Sequence, residues 1–294
     1  MILFTHNDLD AVGCEMCVRS QPFRITKVFH TDYGDFSDKV NQILSEDDTE
    51  LFIADLSFSD HKNDLLRLCT KFKTVVHADH HAYASDFFDD MPKNYRGFID
   101  KSVCACKTCY KILRLNNKFL SNLITVIDVY DCWRTGSTMF DKSQNLNEYF
   151  KYVGYDTFLN KFSGGIPDDY EVIVNSSIKK QQEQIQKLKD DGKVVRCNRG
   201  EKITFVFDHD LFNPIMIQEM KEGQNYVVGI SNNIIKVRLK DCLDTKYTRK
   251  CLCENIVGKL IGHPLAFTYK FDGDIKQECN RIVDQINTTA DMPF

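Results

Sequence analysis

No run in this 294-residue chain approaches the roughly 20 consecutive apolar residues that a bilayer-spanning helix needs. The N-terminus has no basic region leading into a long apolar one, so no secretory signal is expected. A basic excess is missing as well: the formal charge is −4. Proteins that hold long nucleic acids neutralise many phosphates and are usually basic, so a long duplex is not the expected partner. A small anion gripped by a local positive site stays compatible. Internal repeats and low-complexity tracts are absent too. With 43% hydrophobic and 27% charged residues, the composition is that of a globular chain, long enough for one large domain or two ordinary ones.

Cysteine, by contrast, is plentiful, at twelve residues. Without a secretory signal these are expected as thiols in a reducing cytoplasm. The stretches Cys14-Glu-Met-Cys17 and Cys104-Ala-Cys106-Lys-Thr-Cys109 have spacings that a zinc site can use. Neither is framed by turn glycines, and both fall where amphipathic helices begin. Cysteine serves there as a small apolar residue, and structural zinc is not expected.

The first half alternates short apolar runs with helical patterns. Ile2 to Thr5, Ile25 to Phe29, Leu51 to Ala54 and Thr74 to His77 read as strands. Asp38 to Leu44 and Asn63 to Phe72 read as helices, with apolar residues three and four apart. This predicts an α/β fold with a mainly parallel sheet covered by helices, whose ligands sit beyond the carboxyl ends of the strands. From about 166 to 192 the chain turns polar and rich in helix formers and ends at Gly192, which predicts a long, mostly solvated connecting helix. Beyond it VVRC, ITFVF, YVVGI and IIKVRL read as strands. Helices are expected near Asn213 to Lys221 and Ile275 to Ile286. The expected organisation is a larger domain over 1–165, a linker helix over 166–192 and a smaller α/β domain over 193–294.

The acidic residues fall in a pattern. The first strand runs into His6, Asp8 and Asp10. LFIAD ends in Asp55, and TVVHADHHA ends in Asp79, His80 and His81. LITVIDVYDCW carries Asp128 and Asp131. All are expected at the carboxyl side of the sheet. Any one of these acids could be a helix cap or a turn residue. The adjacent histidines after Asp79 argue for more, because burying two imidazoles without partners is costly. Imidazole and carboxylate together suit manganese or magnesium better than structural zinc. With six or seven ligands on offer, two ions are more plausible than one, and a pair of ions suits the hydrolysis of phosphate esters. His30, His61, His77 and His209 each stand alone and read as structural or solvated.

HNDLD, LFIAD, ADHH and VYDCW, in that order, resemble the four motifs of the DHH phosphoesterase superfamily, which takes its name from a trio like Asp79-His80-His81. The HxDxD and YDxW forms look most like its oligoribonuclease (nanoRNase) branch. NIIKVRLKDC followed by ENIVGKLIGHPLAF is similar to the DHH-associated C-terminal domain, where an arginine-bearing strand precedes a glycine-rich loop ending in histidine. The resemblance covers nearly the whole chain, firmly in the first half and loosely in the second.

This resemblance implies a metal-dependent phosphoesterase with two manganese ions, magnesium being the alternative. His6 and Asp8 would hold one ion; Asp10, His80 and Asp131 would hold the other, with Asp55 shared between them. Asp128 is the alternative to Asp131. Asp79 would support the site, while His81 would face the phosphate and the leaving group. Arg238 and His263 would grip a terminal phosphate or a base in a cleft between the domains. The implied substrate is a short oligonucleotide cut to mononucleotides. The rivals are a cyclic-dinucleotide phosphodiesterase, a phosphatase of 3′-phosphoadenosine 5′-phosphate and, from another class, a nucleotide-binding module without catalysis. No membrane is expected, and a homodimer is compatible. A Lys-, Asn- and Ile-leaning composition hints at an AT-rich genome, bacterial or viral; the expected compartment is the cytoplasm, of a bacterium or of the host cell if the protein is virus-encoded.

Three features depart from the family pattern. Ala11 stands where a glycine usually follows the second Asp of the first motif. The fourth motif offers two acids. The glycine-rich loop is reduced to Ile261-Gly262-His263-Pro264, and one glycine before a proline gives fewer backbone N–H groups to an anion.

Overall fold

The computed structural model describes residues 1–294 except 23, 33, 164, 198–201, 208–225, 232–233, 240–260, 264–265, 272 and 290–294. The chain divides into two compact units, Met1–Ser177 and Ile178–Phe294.

The first unit is built on five strands, β1 (Ile2–Thr5), β2 (Lys27–His30), β3 (Glu50–Ala54), β4 (Thr74–Asp79) and β5 (Tyr95–Ile99). They lie in the order β2-β1-β3-β4-β5, every pair parallel. The intervening helices are α1 (Leu9–Arg19), α2 (Phe36–Leu44) and α3 (Lys62–Lys71). Ile2, Phe4, Leu51, Ile53 and Val75 alternate along their strands and share one core with Phe36, Val40 and Ile43 of α2 and Leu65 and Leu68 of α3. That period of two matches one face of a pleated sheet. Leu3, Phe52 and Ala54, the intervening positions, are buried as well, as expected for a sheet covered on both faces. From β1 the chain crosses to β2 on one side, and from β3 to β4 on the other. The order therefore reverses between β1 and β3, the place where open α/β sheets build their sites.

After β5 come α4 (Ala105–Ile112), α5 (Lys118–Asp131), α6 (Phe140–Val153) and α7 (Tyr155–Phe162), then α8 (Tyr170–Asp191). α1 packs on α4 and α5. Gly13 makes this approach close: a Cβ there would lie 2.9 Å from Cys106 Cβ and 3.0 Å from Ile127 Cδ1. Cys14, Cys17, Cys104, Cys106 and Cys109 are all buried free thiols, filling the role of small apolar residues.

The second unit carries a six-stranded sheet in the order β10-β11-β9-β8-β7-β6. Its strands are β6 (Lys193–Arg196), β7 (Lys202–Phe207), β8 (Tyr226–Ser231), β9 (Ile234–Leu239), β10 (Ile261–His263) and β11 (Ala266–Lys270). All neighbours are antiparallel except β7 and β8. The helix α9 (Ile275–Thr289) buries Ile282 and Ile286 in a core with Ile203, Phe205, Val228 and Val237.

The expected strands and helices of the first half are present with shifts of a few residues, the second strand beginning at Lys27 rather than Ile25. Two readings are corrected. Asp128 and Asp131 do not follow a strand: they lie on the last turn of α5, whose buried Leu120, Leu123, Ile124 and Ile127 recur at helical spacing. Ile261 to His263 is a strand paired with β11 rather than a loop. The helix expected at Asn213 to Lys221, and His209, lie outside the described residues. No helix among the described residues is long and apolar enough to cross a membrane.

Candidate metal centre

The carboxyl ends of β1, β3 and β4 bring the first three motifs together. Asp8 is the N-cap of α1: its Oδ1 accepts the Ala11 N–H at 3.0 Å. Its Oδ2 lies 3.0 Å from His6 Nδ1. Although burial opposes both shifts, this pair holds Asp8 below the usual carboxylate range and raises His6. The capping role is therefore real, and it uses only one of the two oxygens.

Asp55 follows β3 directly. Its backbone is left-handed, with φ 55°, a region that aspartate and asparagine tolerate better than most residues. Its N–H donates to the Ala78 carbonyl of β4 at 3.0 Å, which fixes the bend. The residue is 4% exposed and Oδ2 has no hydrogen-bond partner. Burial, followed by Asp8, Asp10, Asp131 and Asp79, pushes its carboxyl well above the ordinary range. A buried carboxylate among four others, one oxygen orphaned, is costly unless a cation sits beside it.

His80 joins the two sides of the cluster. Its Nε2 lies 3.4 Å from Asp55 Oδ1 and 3.5 Å from Asp131 Oδ2. Burial alone would lower its pKa, but a hydrogen bond to Cys132 and the carboxylates of Asp131, Asp10 and Asp79 push it up to about 9. Asp131 Oδ2 is buried and has no hydrogen-bond partner. Burial and then Asp10 raise that carboxyl well above its usual range, against the pull of His80. The acid also sits at the C-terminal turn of α5, whose carbonyl dipoles favour a cation.

The structure separates the two acids of the fourth motif. Asp128 is fully engaged: Oδ1 accepts the Cys104 N–H at 3.0 Å, Oδ2 accepts Lys107 Nζ at 2.8 Å, and Arg134 Nε lies 3.3 Å from Oδ2. Although burial opposes it, these donors hold its carboxyl low. Asp131 is the acid left facing His80.

Asp10 is buried in α1 and accepts two N–H bonds from the start of α4, Ala105 to Oδ2 at 2.7 Å and Cys106 to Oδ1 at 2.9 Å. Burial and Asp8 nevertheless raise its carboxyl. A carboxylate has roughly four lone-pair sites, so two backbone bonds leave room for an ion.

Asp79 and His81 form a separate pair. Asp79 Oδ1 lies 2.7 Å from His81 Nδ1, and Oδ2 accepts the Tyr83 hydroxyl at 2.6 Å. Despite complete burial, the bond to His81 and the neighbouring His77 hold Asp79 well below the usual range. His77, fully buried, bonds Tyr95 Oη and the Leu56 carbonyl at 2.9 Å each and so is structural, as its isolation in the sequence implied. Tyr83 was not legible as a site residue; its only signal is its place two residues after His81. Cys132, whose Sγ lies within 4.8 Å of ligand atoms of His80 and Asp131, was also missed.

Two groups of metal-capable side chains share Asp55: His6, Asp8 and Asp55 in one, and Asp55, Asp79, His80 and His81 in the other. Ligand atoms within each group lie within 4.8 Å of one another. His80, Asp131 and Cys132 form a further such group. In the second unit, Arg238 on β9 and His263 on β10 both register with Ala266 of the strand between them. Their side chains lie outside the described set.

No protein-family model and no curated protein matches this chain in sequence. Solved structures match it in fold. The chain is similar to the DHH domain of a member of the S1p family of ribosomal proteins, at 15% identity and a TM-score of 0.67, covering 97% of this chain and 86% of that one. The chain has a DHH-like fold. It is also similar to RecJ in complex with Mn2+ from Thermus thermophilus, at 12% identity and a TM-score of 0.65, covering 99% of this chain and 52% of RecJ. This chain thus spans about half the length of RecJ. A third match is the pGpG-specific phosphodiesterase PggH from Vibrio cholerae, at 13% identity and a TM-score of 0.63, covering 98% of this chain and 99% of PggH.

Proposed function

We propose that the protein is a metal-dependent phosphoesterase of the oligoribonuclease type, hydrolysing short oligonucleotides to mononucleotides with two divalent ions, preferably manganese. The observation that carries this reading is Asp55, buried, left with an orphaned oxygen and common to two groups of ligand side chains. The donor set of imidazole and carboxylate fits such ions. His6, Asp8 and Asp55 would hold one ion, and Asp10, His80, Asp131 and the same Asp55 the other. When bound, the ions lower the pKa of a water and offset charge on a phosphoryl oxygen.

The remaining work falls to the chain's own groups. Asp79 fixes the His81 ring through Nδ1, leaving Nε2 to hydrogen-bond a phosphoryl oxygen and stabilise charge that grows there. Asp128, with Lys107 and Arg134, ties the end of α5 to the start of α4 and so keeps Asp131 in place. Residues 1–165 would carry the chemistry, 166–192 would link, and 193–294 would bind substrate, Arg238 and His263 taking a terminal phosphate or a base. A guanidinium suits that task. A charge of −4 favours small substrates over long polymers, and the similarity to PggH over the length of both chains supports a dinucleotide. The expected setting is a reducing cytoplasm.

The test is hydrolysis by the purified protein, with manganese, of a 5′-labelled dinucleotide, a trinucleotide and a long oligomer. 3′-Phosphoadenosine 5′-phosphate and a cyclic dinucleotide complete the panel, beside an Asp55→Asn variant. Metal-dependent cleavage of the short oligomers, lost in the variant, is expected. Turnover of another panel member alone would move the substrate and keep the centre. Nucleotide binding without turnover would overturn the enzyme reading.

A further inference from the structure

Cys132 is the residue that caps the C-terminus of α5, one position beyond Asp131. Unlike the thiols packed between α1 and α4, it is partly exposed. Its Sγ–H donates to Asp128 Oδ1 at 3.7 Å. The ligand atoms of His80, Asp131 and Cys132 lie within 4.8 Å of one another. That spacing is comparable to the span across one ion whose bonds to nitrogen and sulfur are about 2.0–2.3 Å each. A cysteine beside an acid would mean little alone. Here the group also holds a buried Asp131 oxygen without a hydrogen-bond partner, and His80 adjoins Asp55, which is 4% exposed and has an orphaned oxygen of its own.

We propose that Cys132 is a ligand of the ion held by His80 and Asp131, making that position a mixed nitrogen, oxygen and sulfur site that favours thiophilic divalent ions. The proposal rests on the metal centre of the preceding section, adds a donor to it and confines the manganese preference given there to the His6 and Asp8 position. Thiolate selects for zinc, cobalt and cadmium over manganese and magnesium, which prefer oxygen. The two halves of the centre then differ: the His6 and Asp8 side stays hard, while the His80 side becomes soft. Binding forms the metal–sulfur bond and releases the thiol proton to solvent, with no change in oxidation state.

Cobalt(II) titration of the metal-free protein, followed by absorption, reads the ligand directly. The expected result is a sulfur-to-cobalt charge-transfer band that is lost in Cys132→Ser and kept in Cys279→Ser, a substitution in the other unit. Cadmium affinity should fall at least about ten-fold in Cys132→Ser, with manganese affinity changed far less. A second readout needs no variant: cobalt or cadmium should shield Cys132 of the wild-type protein from iodoacetamide, scored on its peptide by mass spectrometry. Cobalt binding with no charge-transfer band and no shielding would overturn the role of Cys132 and leave the phosphoesterase reading standing. Failure of the protein to bind cobalt, cadmium or manganese at all would overturn both.

Discussion

Replacing Asp55 by Asn should stabilise the metal-free protein while removing its response to metal. Asn is close in shape, tolerates the left-handed backbone at φ 55°, and discards a charge that is buried among Asp8, Asp10, Asp131 and Asp79. Leaving a buried polar group unpaired costs about 1–3 kcal/mol, more when it is charged. Relief of about 2 kcal/mol would raise the melting temperature by roughly 4–8 °C for a unit of this size. The sign with pH follows from the raised carboxyl pKa. The folded wild type keeps a proton that the unfolded chain releases above about pH 4, so its stability falls as pH rises through the folded value. The variant's advantage should therefore be larger at pH 8 than at pH 5. Metal acts oppositely. At about one hundred times its dissociation constant, an ion adds about 2.7 kcal/mol to the form that binds it. Thermal melts of both proteins in chelator and in manganese should thus reverse rank, the variant higher in chelator and the wild type gaining far more from manganese. A variant that melts lower than wild type in chelator at pH 8 would refute the repulsion argument.

Asp128→Asn should do the reverse of Asp55→Asn, costing about 1–3 kcal/mol because it weakens bonds to Lys107, Arg134 and the Cys104 N–H. Its carboxyl is held low, so that contribution is present above about pH 4 and is lost as pH falls through the folded value; melts at pH 7 and pH 3 should show the gap close. Gly13→Ala should lower the urea midpoint even though alanine is the better helix former, because its Cβ would meet Cys106 at 2.9 Å and overpacking costs about 1–3 kcal/mol. A raised midpoint would show that α1 and α4 can part easily. Tyr83→Phe removes the donor to Asp79 Oδ2, and denaturant unfolding should report a loss of about 1–3 kcal/mol; an unchanged midpoint would mean that Asp79 is held by His81 alone.

The parallel sheet was legible because its strands are short apolar runs broken by helix-period segments, and the candidate site was legible in part because His6, Asp8, Asp55, Asp79 and His80 lie at or just beyond the ends of those strands. What sequence left open depended on contacts distant along the chain. Asp128 and Asp131 are the same residue type three positions apart, and the N–H of Cys104, the amine of Lys107 and the guanidinium of Arg134, folded against one of them, separate them. The segment before them is apolar enough to suit either element, and it became a helix because its buried residues recur at three and four. Ile261 to His263 read as a loop through its resemblance to a glycine-rich loop, yet its pairing with β11 decides its state. Tyr83 and Cys132 were invisible as site residues because tyrosine and cysteine are ordinary core residues until a carboxylate or an imidazole is folded against them.

The left-handed bend at Asp55 also shapes how this protein can change over generations. Few side chains are comfortable at that φ, so the accessible neighbours are chiefly asparagine and glycine, and a single base change reaches either. The asparagine route would leave the scaffold intact and firmer while silencing the ions. On the proposed function, a lineage released from selection for hydrolysis would therefore meet no stability barrier on the way to a module that only binds. Aspartate at this position works against the stability of the metal-free fold.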